Sequence, residues 1–166
     1  MATRAQRAHA LAVMDLLLAH NPRIGYRQAR PMGTRSLTEQ RLTDLLAAGR
    51  RLELDCSEAA TLVCRLAGLA SPSGPHYPYA GGYGNTQTML DALPEYTDPA
   101  AAEPLALVVY GPDGHPEQQH VSVVYESGPD PLLFSMGREA DPRLIRFSEQ
   151  RAFHSAPARF CSVARL

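Results

Sequence analysis

Leu54-Asp55-Cys56-Ser57-Glu58-Ala59-Ala60-Thr61-Leu62-Val63 is the stretch that decides how this chain reads. A short polar residue introduces a cysteine, and an apolar helical run follows at once. Asp55 is suited to cap a helix, and Glu58 at the third helical position completes the Asp version of a capping pattern. Ala59, Ala60, Leu62, Val63, Leu66 and Ala67 are apolar around most of the helix. A helix over Asp55–Ala67 should therefore be deeply buried, and Gly68 stops it. The Cys56 sulfur then lies at a helix N-terminus, where unpaired N–H groups and the helix dipole favour negative charge. A thiol there is pushed toward thiolate, the form that attacks carbonyls.

Helical periodicity continues on the N-terminal side. Leu11, Met14 and Leu18 share a face in a helix over residues 5–19, which Asn21-Pro22 ends. Ile24-Gly25-Tyr26-Arg27 reads as a short extended or turn segment. Ser36-Leu37-Thr38-Glu39 reads as a capping box, with Ser36 as the cap, for a helix through Leu42, Leu45 and Leu46 that ends near Gly49. On the other side, residues 71–85 form a Gly- and Pro-rich loop carrying Tyr77, Tyr79 and Tyr83, and loops of this length often line clefts. Thr86–Leu93 is a short helix. Strands follow at Leu105–Tyr110, His120–Glu126, Pro131–Ser135 and Leu144–Phe147, separated by turn sequences such as Gly111-Pro112-Asp113-Gly114. Helices first and strands later make an α+β fold, read as one domain over residues 1–166.

Composition narrows the function classes. The chain has 166 residues, 45% of them hydrophobic, with a net charge of −1, enough for a packed core. All 16 basic residues are Arg, but no basic block occurs, which argues against nucleic acid or an acidic membrane surface as partner. No run approaches ~20 apolar residues, so no membrane span is expected. The N-terminal apolar stretch is broken by Asp15 and reads as an amphipathic helix rather than a signal peptide, so synthesis in a reducing cytoplasm is expected. Three cysteines, Cys56, Cys64 and Cys161, do not make a disulfide framework. Cys56 and Cys64 would lie about 12 Å apart along one helix, too far to bridge. The spacings of His76, His115 and His154 fit no ordinary zinc site, so neither metal nor cofactor is expected.

His120 opens the strand His120-Val121-Ser122-Val123-Val124-Tyr125-Glu126. Ser122 and Val124 share its side of the strand. A histidine there is more often structural than catalytic, unless it comes within hydrogen-bond reach of the sulfur.

Asp55-Cys56-Ser57 ahead of an apolar helix resembles the Asp-Cys-Ser-Gly nucleophile motif of NlpC-type, papain-like cysteine peptidases. His120-Val121-Ser122-Val123 is similar to their His-Val-Gly-Ile strand, and Tyr26 to their N-terminal tyrosine. Arg30-Pro31, Gly82-Tyr83-Gly84-Asn85-Thr86, and Asp130-Pro131 through Ser135-Met136-Gly137-Arg138-Glu139 resemble segments of phage lysins of this broad kind. The likeness spans about Tyr26 to Phe147. It implies a papain-like fold, with a buried nucleophile helix packed on an antiparallel sheet.

The implied activity is cleavage of amide bonds in peptidoglycan stem peptides through a thioester, by a phage endolysin or tail-lysin domain acting on the cell wall as a monomer. Cys56 would be the nucleophile and His120 the general base. The Cys56 N–H and the Tyr26 hydroxyl would hold the oxyanion, and Asp55, Ser57 and Tyr83 would hold the stem peptide. Two departures stand out. Glu58 replaces the motif's Gly. Met136 stands where a polar residue normally orients the imidazole, which leaves Ser135 as the nominated third member, with Glu126 and His154 as further candidates. Two alternatives remain open: an antibacterial effector with the same chemistry, and a non-catalytic wall-binding or structural module on the same fold.

Overall fold

A computed structural model describes residues 2–28, 37–76, 84–95, 99–112, 119–137 and 140–163. Helix α1 (Arg4–Ala19) starts at a true capping box: the Thr3 hydroxyl accepts from the Gln6 N–H, and the Gln6 side chain accepts from the Thr3 N–H. Its buried residues Ala10, Val13, Met14 and Leu17 follow the i, i+3, i+4, i+7 spacing. Strand β1 (Ile24–Tyr26) pairs in parallel with β2 (Leu52–Leu54), in the register Tyr26 opposite Leu54. Helix α2 (Glu39–Ala47) lies between them in sequence. Its cap is Thr38, whose hydroxyl accepts from the Arg41 N–H. Ser36, expected in that role, lies outside the described residues.

Helix α3 (Cys56–Leu66) begins where the sequence places it, with nine of its eleven residues buried. It is sandwiched between α1 and a five-stranded antiparallel sheet. Helix α4 (Thr86–Ala92) leads into that sheet, which comprises β3 (Leu107–Tyr110), β4 (His120–Glu126), β5 (Leu132–Gly137), β6 (Ala140–Arg146) and β7 (Ala158–Cys161). The order across the sheet is β6-β5-β4-β3-β7. A short helix α5 (Phe147–Gln150) follows β6. Pro142 is tolerated in β6 because that strand is an edge, where a missing N–H breaks no ladder. The fold is α+β, with the expected antiparallel sheet behind the cysteine helix.

The sheet is apolar on both faces. Leu107, Val109, Val121, Val123, Phe134 and Met136 pack with Cys56, Ala59 and Ala60 of α3 in the larger core. Their alternates Val108, Tyr110, Val124, Leu133, Ile145 and Phe160 form a second core on the far face. Full burial of one such side chain contributes roughly 1.5–3 kcal/mol, so both faces are committed to burial and each strand's register is strongly specified.

Candidate active site

The Cys56 thiol is set in place by three local devices. Asp55 caps α3: its Oδ1 accepts from the Glu58 N–H at 2.7 Å and from the Ser57 hydroxyl at 2.7 Å. The parallel β1–β2 pair, extended by Arg27 N–H donating to the Leu54 carbonyl, brings Tyr26 alongside the start of α3. Asn85 caps α4 and presents Thr86 toward the sulfur. The result is a cavity of about 230 Å³. Tyr26, Asp55, Cys56 and Ser57 line one part of it; Gln28, Asn85, Thr86 and Gln119 line the rest.

Of the site residues expected from sequence, Tyr26, Asp55, Cys56 and Ser57 thus come together on one cavity. Tyr83 lies outside the described residues, as do Arg30, Pro31 and Gly82 of the lysin-like segments. The Ser57 hydroxyl is spent on Asp55 rather than directed at a ligand.

His120 does not join them. It pairs across the ladder with Tyr110, and both rings belong to the far face of the sheet. Val121, the next residue, is the one whose side chain joins Cys56 in the larger core and whose backbone hydrogen-bonds the sulfur. The expectation that His120 is the base for Cys56 is therefore corrected by strand parity. On β4, alternate residues point to opposite faces, and His120 has the wrong one.

His120 is instead the centre of a buried polar cluster. Its Nε2 lies 3.0 Å from Ser135 Oγ, 3.1 Å from Ser122 Oγ and 3.3 Å from Gln150 Nε2. Gln150 Nε2 also donates to both hydroxyls, and its Oε1 accepts from Tyr110. Both Gln150 N–H groups are thus taken by the hydroxyls, and burial holds the ring neutral, with the role of Nε2 toward the hydroxyls following its tautomer. The ring stacks on His154, 4.4 Å away with planes 3° apart. Ser135 thus does contact His120, as nominated, but both are sealed at 1% and 3% exposure, away from the thiol. Met136 faces the larger core and orients nothing.

The protonation states follow. Burial pushes the Cys56 thiol up to about 11, reinforced by the Asp55 carboxylate; the Val121 backbone, the Thr86 side chain and the Ser57 backbone pull the other way and lose. Burial, with His154 beside it, pushes His120 down to about 3. At neutral pH the pair is a thiol and a neutral imidazole on opposite faces, and no thiolate–imidazolium pair exists.

Sequence reading gave no role to Gln28, Asn85, Thr86 or Gln119. Gln119 was findable: it shares the parity of Val121, one residue before the histidine that drew attention. Asn85 closed the expected loop and Thr86 opened the expected short helix, but neither was assigned to the site.

Among the described residues no helix is long and apolar enough to cross a membrane. Comparison of this chain with family models, with curated proteins and with solved structures finds no match.

Proposed function

We propose that this protein is a binding module on a papain-like scaffold, holding a peptidoglycan stem peptide in the Cys56 cavity without cleaving it through a Cys56–His120 pair. The observation that carries this reading is the opposite facing of Cys56 and His120 across the sheet. The cavity itself supports peptide binding. Its lining carries amide, hydroxyl and thiol groups with one carboxylate, a set suited to hydrogen-bonding a polar chain. The peptidoglycan assignment rests on the likeness of Asp55-Cys56-Ser57, Tyr26 and the later segments to NlpC-type enzymes.

A second reading is favoured by one observation: Cys56 opens α3 and lines the cavity. In that reading the protein is the cysteine hydrolase that the sequence suggests, with a base other than His120. Incubation with purified bacterial cell walls separates the two. The binding reading expects sedimentation with the walls and no release of free amines, with Cys56→Ala behaving like wild type. Amine release that disappears in Cys56→Ala establishes the hydrolase instead.

A further inference from the structure

The amide of Gln119 is not free to turn. A chain of side-chain hydrogen bonds running back along α4 fixes which of its two ends is left over. Asp91 is a carboxylate and only accepts, so Gln87 must turn its Nε2 toward Asp91 Oδ1, at 2.9 Å. That leaves Gln87 Oε1 pointing at Gln119, which must answer with its own Nε2, also at 2.9 Å. The Nε2 end of Gln119 is thereby turned to Gln87, and Oε1 is the end that carries no bond to it. Gly111 guards this position: a Cβ there would meet Gln119 Cγ at 3.2 Å, and the backbone at φ +134° disfavours any side chain. On the same cavity wall Asn85 is fixed in the complementary sense. Its Oδ1 accepts from the Thr88 N–H as the cap of α4, so its Nδ2 is the end that remains.

We infer that Gln119 and Asn85 form a reading pair for one backbone amide of a bound peptide, Gln119 Oε1 accepting its N–H and Asn85 Nδ2 donating to a carbonyl. Gln87 and Asp91 are the positioning residues that hold Gln119 in that sense. Both reading residues line the Cys56 cavity, so the pair acts on the ligand held there. The inference rests on the peptide-binding reading and deepens it: the ligand is recognised as a secondary amide, and an ester or N-methylated link in the same place binds more weakly.

The test is titration calorimetry with the synthetic stem peptide L-Ala-γ-D-Glu-diaminopimelate and two analogues, each with one of its two amides replaced by an ester. The inference expects one analogue to bind about fivefold more weakly, the loss of one hydrogen bond to a neutral acceptor. In Gln119→Met that penalty should vanish, because no acceptor is left to notice the missing N–H. In Asp91→Ala the penalty should shrink, since the Gln119 amide can now turn. In Asp91→Glu it should return, because a carboxylate still only accepts from Gln87, whereas an Asn amide could turn either end toward it. A merely structural role for Asp91 would weaken both peptides equally and leave the ratio unchanged. If the peptide binds but neither ester is discriminated, or if Gln119→Met keeps the penalty, the reading pair is overturned while peptide binding stands. If the peptide does not bind at all, the peptide-binding reading falls and the inference falls with it.

Discussion

His120 is held by what a charged ring would destroy. It is sealed in a cluster whose members Ser122, Ser135 and Gln150 are already bonded to one another, and none of them offers a negative charge to a protonated ring. His154 stacked at 4.4 Å adds a second titratable ring. The folded-state value of about 3 lies below the ordinary 6.5. The unfolded chain therefore binds this proton more readily than the folded one, and acid favours unfolding. The stability is fully present above pH ~6.5 and is lost progressively between there and pH ~3. By pH 4.5 the loss amounts to about 2–3 kcal/mol from this residue. Urea unfolding of wild type and His120→Gln at pH 7.5 and 4.5 checks it. The variant should be less stable than wild type at pH 7.5, and its stability should fall less on acidification. An identical pH dependence in the two proteins would remove His120 from the account.

At the scale of elements, α3 shows how a single cap sets a whole site. Asp55 Oδ1 takes the Glu58 N–H and the Ser57 hydroxyl together, and so fixes both the first turn of the helix and the cavity wall. Asp55→Ala should lose about 1 kcal/mol of stability, whereas Asp55→Asn keeps an acceptor and should lose much less. The Asn variant also removes the charge that helps raise Cys56, so its thiol should ionise at lower pH than in wild type. Chemical denaturation and a thiol titration measure the two effects; equal stability in the Ala and Asn variants would deny the cap its role. Both the cap and the helix were legible in Asp55-Cys56-Ser57-Glu58, because capping is local chemistry. The bounds of β4 were equally legible from one unbroken run. Strands β2 and β7 were not: each is only three or four residues long, and each exists through a partner distant in sequence, β1 in one case and β3 in the other. Ser36 and Thr38 both offered a hydroxyl ahead of α2, and sequence alone favoured the one with Glu three residues on. The structure uses Thr38.

The molecule as a whole explains why its most consequential feature could not be read in advance. The alternation along β4 is plain: His120, Ser122 and Val124 on one side, Val121, Val123 and Tyr125 on the other. What was missing is which side α3 covers. A sheet with one wet face would have announced it, since the apolar side would have been the helix side. Here both faces are buried, one against α3 and α1 and the other in a second core that Ala102, Phe147 and Ala156 complete from outside the sheet. Either parity buries valines equally well, and a difference of one residue moves an imidazole from one face to the other. The family likeness chose the face with the thiol, and the packing chose the other. The pH dependence of Cys56 alkylation by iodoacetamide, followed by mass spectrometry in wild type and His120→Gln, tests that separation most directly. The account predicts one rising limb with an apparent pKa near 11, the same in both proteins. A second inflection near neutral pH that disappears in His120→Gln would place the imidazole beside the sulfur and contradict it.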